Sequence, residues 1–405
     1  MPAGTNRSAA GHPRGSEGVQ GPRLQRRTFL HGLGAVALGG GGLLSGCGDR
    51  SGTQAGGQSG DQADETTGGL TVTDQRGETI SLPAPATRIV TLPMPAASLL
   101  IAVDQGADHL VGMHDASWVA IRDGIMADLF PAALEVPHGV ADEAFAPNVE
   151  SIATLEPDVV VQWGDIDDGL IAPLTNAGLQ VAGLTGRTQE DVAAWITLFA
   201  ALLGKPERGE QINARIADQY RQAQELAAGR QGPGPRILYF NRFLEDRKVA
   251  ATQTSDDFYI TLIGATNAAT GEDGVGGSGM VGVDTEQVLA WDPDIILLGN
   301  FDTAVPDDLY SDPVWSELSA VRSRQVYKVP LGGYRWDPPS HESPLMWTWV
   351  AQVAYPGSGS VDLYEQIREH YDLLYGQSPT DAQIEGILWR EANAGSANYE
   401  QFDAS

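Results

Sequence analysis

The chain has 405 residues, with 25 Lys and Arg against 53 Asp and Glu, for a formal net charge of −28. That balance excludes a nucleic-acid binder, which needs a basic face to neutralise phosphates. With 42% hydrophobic and 19% charged residues the chain is not disordered throughout, and it is long enough for two cores of about 100 to 200 residues each. The single cysteine, Cys47, rules out an intramolecular disulfide and any zinc site built on two or more cysteines.

Arg26 and Arg27 stand directly before Thr28-Phe29-Leu30, and a glycine-diluted apolar run then ends at Leu44-Ser45-Gly46-Cys47. The run is too short and too rich in glycine for a membrane span. The arginine pair resembles a twin-arginine export signal, and the last four residues resemble the lipobox of bacterial lipoproteins. Residues 1–46 are therefore expected to be a signal peptide, leaving a mature chain lipidated at Cys47 and anchored to the outer face of the bacterial cytoplasmic membrane. Cleavage there removes Arg7, Arg14, Arg23, Arg26, Arg27 and Glu17, which moves the formal charge to −32. Residues 47–69 are Gly, Ser, Gln, Asp and Thr without hydrophobic period, a flexible tether of roughly 25 Å reach.

Leu70-Thr71-Val72-Thr73 and Glu78-Thr79-Ile80-Ser81-Leu82 flank the turn residues Asp74-Gln75-Arg76-Gly77, predicting a short hairpin. Strand-like runs at 88–92, 110–113, 158–163 and 180–184 are short, continuous and β-branched, as strands buried on both faces should be. Their spacing leaves room for crossover helices, so the sheet should be parallel. Helical patterning covers 190–202 and then 206–228, the second piece being about 35 Å long with Pro206 in its first turn. Gln231-Gly232-Pro233-Gly234-Pro235 breaks it, and strand-like runs resume at 237–240, 294–298 and 326–329. Residues 345–353 and 380–391 read as further helices, and the last residues as a frayed end.

One unit occurs twice. Val149-Glu150-Ser151-Ile152-Ala153-Thr154-Leu155-Glu156-Pro157-Asp158-Val159-Val160 is echoed by Thr285-Glu286-Gln287-Val288-Leu289-Ala290-Trp291-Asp292-Pro293-Asp294-Ile295-Ile296. Each copy is a short amphipathic helix, a Pro-Asp stop and a buried strand. Two α/β lobes on one plan, joined by helix, are the simplest arrangement.

The ordered set of hairpin, Arg88-Ile89-Val90-Thr91-Leu92, both helix-Pro-Asp-strand units, and Trp315-Ser316-Glu317-Leu318 ahead of Arg324-Gln325-Val326-Tyr327 resembles the substrate-binding lipoproteins of ABC importers for ferric siderophores, haem and cobalamin. The resemblance covers about residues 70–375. It implies an α/β protein of two Rossmann-like lobes joined by a long rigid interlobe helix, the class III periplasmic-binding fold. The expected divisions are an N-terminal lobe at 70–187, the interlobe helix at 188–230, a C-terminal lobe at 231–375 and a C-terminal helix and tail at 376–405. The implied function is capture of a metal chelate, with a ferric siderophore leading and cobalamin, haem or a nickel chelate as alternatives, and delivery to an ABC permease and its ATPase. The expected protein is a monomer with no cofactor of its own, an iron chelate being cargo. Relatives dock through one acidic residue on each lobe, and the repeat matches these to Glu150 and Glu286, whose charge would fix orientation on permease arginines. A non-transport lipoprotein sensor or co-receptor of the same fold is the reading from another class.

Ligands of α/β lobes gather where strand carboxyl ends open into loops. That rule selects Met94, His114 with Trp118 nearby, and Trp163 from the first lobe. Arg242, Phe301, the run Tyr334-Arg335-Trp336, and His341 come from the second. An arginine beside two aromatics suits a flat anionic chelate, and His114 and His341 are the rim histidines able to ligate a metal, since imidazole suits Fe, Ni and Cu. No Gly-x-Ser-x-Gly elbow, His-Glu-x-x-His helix or Walker-type loop occurs, so no enzymatic activity is expected.

Overall fold

The computed structural model describes residues 69–404, apart from 187, 231, 245, 272, 273 and 358–360. The chain divides into two units, 1–64 and 65–405, and every described residue belongs to the second. The export signal, Cys47 and all of the tether except Gly69 lie outside the described residues. Among the described residues no helix is long and apolar enough to cross a membrane.

The hairpin pairs β1 (Leu70–Thr73) with β2 (Thr79–Leu82) in antiparallel register. The first sheet has β3 (Ile89–Thr91), β4 (Leu110–Met113), β5 (Val159–Trp163) and β6 (Val181–Leu184), in the order β4-β3-β5-β6 with every pair parallel. The hairpin turn clamps this sheet: the buried Asp74 carboxylate accepts from the Gly183 amide at 2.7 Å and pairs with Arg76, which donates to the Val181 carbonyl.

The second sheet contains β7 (Arg236–Arg242), β8 (Lys248–Ala250), β9 (Thr266–Asn267), β10 (Met280–Gly282), β11 (Ile295–Leu298) and β12 (Val326–Lys328). Its order is β10-β8-β7-β11-β12, with β9 pairing β7. The expected strands β7, β11 and β12 are parallel, whereas β8 and β10 form an antiparallel margin that three-residue runs do not announce in sequence. The sheets are separate, and the helices Gln189–Leu202 and Pro206–Ala228 run between them in the chain. The first of these opens with a Thr188/Asp191 capping box, and the second carries Pro206 in its first turn.

Alternation along the strands explains the layers. Ile89, Val159, Val161 and Leu184 of the first sheet, and Ile237, Tyr239, Ile295 and Leu297 of the second, all enter one core shared with the two connecting helices. The intervening residues Val90, Val160 and Val181 enter an outer core on the first sheet, and Leu238, Phe240, Ile296 and Leu298 enter one on the second. Both faces of each sheet are thus covered, as parallel strands require. The shared core runs on into the helices Ser343–Ala354 and Leu363–Tyr375. Arg208 ties these parts together, its guanidinium donating to the carbonyls of Ala102, Leu373 and Leu374.

The C-terminal segment is not frayed as far as Phe402. Asn393 mimics a strand against β12, accepting from the Lys328 amide at 2.7 Å and donating to its carbonyl at 3.1 Å. Tyr399 and Phe402 are buried in the shared core. The helix expected at 380–391 stops at Ile387, and Trp389 takes a left-handed φ of 51°. The edge of the second sheet is thereby covered, which a sequence of small polar residues does not foretell.

Candidate functional site

The carboxyl ends of the strands open onto a cavity of ≈ 370 Å³ walled by both lobes. The first lobe supplies Met94 after β3, Trp163 at the end of β5, Phe145 from a turn, and Trp195 from the helix Gln189–Leu202. Phe145, Trp163 and Trp195 pack edge to face in series, with ring centroids 6.2 and 5.7 Å apart. Asp142 shapes the turn that presents Phe145: its Oδ1 accepts from the amides of Ala144 and Ala146, and Phe145 adopts φ 67°.

The second lobe supplies Tyr239 and Asn241 from β7, Asp256 from the helix Ser255–Leu262, Phe301 after β11, and Tyr334 and Asp337 after β12. Asp337 is buried and accepts from the Tyr239 hydroxyl at 2.7 Å and the Asn300 amide at 3.0 Å. Burial, with Asp256 and Asp337 nearby, pushes the Tyr239 hydroxyl far above its ordinary value. Burial also raises Tyr334 to about 12, against the pull of the adjacent Arg335 guanidinium. Asp256 is 2% exposed; burial first and the charge of Asp337 second lift its carboxyl well above the usual carboxylate range.

Two cations stand behind this wall rather than in it. Arg335 donates from Nε to the Asn300 carbonyl at 3.1 Å and from Nη1 to the Ala116 carbonyl of the first lobe at 3.3 Å, with its guanidinium 5.0 Å from the Phe301 ring. Lys328 is buried, with Nζ donating to the carbonyls of Gly299 and Asp302, and burial lowers its pKa. Both side chains hold the loop at 299–302 in place. Among the cavity-lining residues none is Lys, Arg or His.

Of the residues selected from sequence, the structure gathers Met94, Trp163, Phe301 and Tyr334 around this cavity. The others lie elsewhere. Arg242 ends β7 with its side chain exposed and does not line the cavity. Trp118 stacks on His138 at 4.4 Å and donates to the Leu134 carbonyl. His114 caps the helix Asp115–Asp123: its Nδ1 accepts from the Ala116 amide, so Nε2 carries the proton and donates to the Asp142 carbonyl at 2.9 Å. With both ring nitrogens engaged, it has no lone pair for a metal.

Trp336 and His341, expected at the ligand site, belong instead to a buried cluster. Glu342 is fully buried; it accepts from Trp336 Nε1 at 2.7 Å, from the Gly333 amide at 3.0 Å, and from the hydroxyls of Tyr371 and Tyr375. Tyr375 accepts in turn from His341 Nε2 at 2.8 Å. Burial raises Glu342 to about 7 despite these donors, and burial together with His370 lowers His341 to about 3. A Cβ on Gly332 or Gly333 would overlap the Glu342 carboxylate and a tyrosine hydroxyl, so the glycine pair exists to let backbone reach the cluster. Tyr334-Arg335-Trp336 therefore splits: Tyr334 faces the cavity, Arg335 bridges the lobes, and Trp336 fills the core.

Sequence reasoning missed Phe145, Trp195, Tyr239, Asp256 and Asp337 as lining residues. Thr254-Ser255-Asp256-Asp257 reads as an ordinary helix start, and Thr254 does cap Asp257. Nothing in the pattern marks Asp256 as the acid turned toward the cavity. Among the described residues no group of three or more His, Cys, Asp or Glu is placed to hold a metal.

Glu150 and Glu286 are both exposed in the first turns of the helices Val149–Thr154 and Thr285–Trp291, which precede β5 and β11 respectively. Their equivalence follows from the sheets, since β5 lies beside β3 as β11 lies beside β7.

A family model described as periplasmic binding protein matches residues 140–331. The solved structure of a periplasmic solute binding protein from Veillonella parvula is 32% identical, with a TM-score of 0.73, covering 80% of this chain and 98% of that one. The molybdate-binding protein MolA of Haemophilus influenzae is 23% identical over 330 residues, 76% of this chain and 91% of its own. The Fe(3+)-citrate-binding protein YfmC of Bacillus subtilis is 23% identical over 291 residues, 70% of this chain and 84% of its own.

Proposed function

The chain belongs to the periplasmic binding protein family, as an extracytoplasmic solute-binding protein of an ABC importer, and from that premise we propose that its cargo is a metal chelate of the ferric siderophore type. The observation that carries this reading is the cavity between the lobes. Aromatic rings from the first lobe face Phe301, Tyr239 and Tyr334 from the second, so one bulky solute would touch both. A chelate whose metal is already saturated needs no protein ligand, which suits a lining without histidine. The same lining favours a neutral or cationic envelope, of the hydroxamate kind, over the flat anionic chelate expected from the arginines in sequence. A single iron chelate is thus cargo and not a resident cofactor.

Delivery would use Glu150 and Glu286, two exposed carboxylates on matching helices of the two lobes, to engage arginines of the permease. Lipidation at Cys47 would keep the monomer beside the membrane, with the acidic body held off an anionic surface. The shared core, continuous from the first sheet through the connecting helices to the C-terminal helices, supports a reading in which lobe closure is small.

The chain contains nine tryptophans, two of them in the cavity wall. Titrating the full chain with ferric hydroxamates, ferric catecholates, cobalamin and haem should give saturable quenching with the hydroxamates. Quenching by cobalamin or haem alone would replace the cargo, and quenching by none would turn the reading toward a sensor.

A further inference from the structure

Among the described residues Asp256 is the one acid of the cavity wall that no cation and no donor from another element answers. Asp337, its neighbour in the wall, accepts from Tyr239 and Asn300 and has Lys328 and Arg335 behind it. Asp256 receives its own backbone amide and a long contact of 3.4 Å from Ser255 to Oδ2, and Oδ1 has no hydrogen-bond partner although the residue is 2% exposed. An acceptor so buried and left open costs folding free energy unless a ligand supplies the donor. The same cavity is lined by the aromatic rings of Trp163, Phe145 and Phe301, a residue class whose π systems attract cations.

We propose that Asp256 is a specificity-determining residue, receiving an ammonium group carried by the cargo while the aromatic wall holds the cargo's apolar body. The proposal rests on the reading of this cavity as the cargo site and names the class of solute it selects. The groups facing Asp256 are Asp337 from the loop after β12, Tyr239 from β7, and Ser255, Asp257 and Tyr259 from its own helix, none of them a cation. Asp337 therefore opposes ionisation of Asp256 in the empty protein. An ammonium that docks there reverses the balance: the carboxyl gives its proton to solvent, and the resulting carboxylate accepts N–H bonds from the ammonium. Binding of a cationic cargo thus releases up to one proton, and binding of a neutral one releases none. An anionic cargo meets the Asp337 carboxyl and an apolar wall and gains nothing from Asp256, so it is rejected.

Ferrioxamine B and its N-acetylated form share one ferric hydroxamate core and differ in a single pendant ammonium. Calorimetry on the full chain, in two buffers of different ionisation enthalpy, reads affinity and proton release together. The expected result is a preference of about tenfold or more for ferrioxamine B, as for a desolvated charge-assisted contact. Proton release should accompany ferrioxamine B alone. In Asp256→Asn, shown folded by its melting curve, the preference should shrink to within about twofold and the proton release should vanish. Equal binding of the two chelates by the unaltered protein, or a preference surviving in Asp256→Asn, overturns this inference and leaves the siderophore reading standing. Binding of neither chelate, nor of the neutral hydroxamate ferrichrome, overturns both.

Discussion

Asp158 and Asp294 make the same joint in the two lobes. Each follows a proline, and each carboxylate accepts from the backbone amide that opens the neighbouring strand: Asp158 Oδ2 from Arg88 at 2.9 Å, Asp294 Oδ2 from Arg236 at 2.7 Å. The two arginines answer in kind, Arg88 donating to the carbonyls of Leu155 and Glu156, and Arg236 to that of Trp291. The residues before the prolines, Glu156 and Asp292, both take left-handed φ, 45° and 40°. A strained turn held by a reciprocal Arg and Asp pair at its base is thus built twice, which gives the internal repeat a structural reason.

Replacing these acids tests the joint. Asp158 also accepts from the Thr87 amide and hydroxyl, so Asp158→Ala should destabilise more than Asp294→Ala, each by about 1 to 2 kcal/mol. Because the two joints lie in different sheets and share no partner, the double variant should show the sum of the two losses in urea denaturation. A strongly non-additive sum would mean that the joints are coupled through the shared core.

The buried cluster makes stability depend on pH in two senses. Glu342 is raised from 4.5 to about 7, so the folded protein holds a proton that the unfolded chain gives up. Its contribution is present below pH 4.5 and is lost as pH rises through 7, about 3 kcal/mol in all. His341 and His370 are lowered from 6.5 to about 3 and about 4, chiefly by burial. The unfolded chain therefore binds protons first as pH falls below 6.5, and the stability they contribute above that value is lost through 4. Maximum stability should fall near pH 6.5. Glu342→Gln should flatten the curve between pH 6.5 and 7.5 and steepen the acid limb, read as melting temperature against pH; an unchanged profile would show that Glu342 titrates alike in both states.

Arg335 should behave as a brace between the lobes. Arg335→Ala leaves the Ala116 and Asn300 carbonyls without their donor and should cost about 1 to 3 kcal/mol in denaturant unfolding. Arg335→Lys should not restore it, because one ammonium lacks the planar fork that reaches two carbonyls at once. Full rescue by lysine would show that charge near Phe301, not the bridge, is what matters.

Charge reversal at Glu150 and Glu286 should separate docking from capture. In Glu150→Lys/Glu286→Lys, cargo affinity should stay within about twofold because neither residue lines the cavity, while uptake by cells should fall at least about tenfold, as for a paired-charge contact turned repulsive. Uptake at the unaltered rate would remove both glutamates from the interface.

Much of the cavity's floor plan was legible from strand ends, yet its chemistry was not. Met94, Trp163, Phe301 and Tyr334 follow strands whose β-branched runs are plain in sequence, and strand ends converge in any such sheet. Trp336 and His341 come farther beyond their strand and turn inward, because Gly332 and Gly333 let the chain sink onto Glu342. Asp256 sits in a stretch that reads as a helix cap, and Phe145 in a turn with no periodicity at all. Loop residues carry no repeat from which the direction of a side chain can be read.

By itself the sequence determined the order of the buried parallel strands and of the two connecting helices, the doubled helix-Pro-Asp-strand unit and the separation into two lobes, since hydrophobic period and proline position act over a few residues. Which side chains meet across the gap was decided only in three dimensions. Asp256 and Trp163 line one cavity because a helix start of the second lobe and a strand end of the first converge there, and burial and charge at that meeting point depend on everything packed around it.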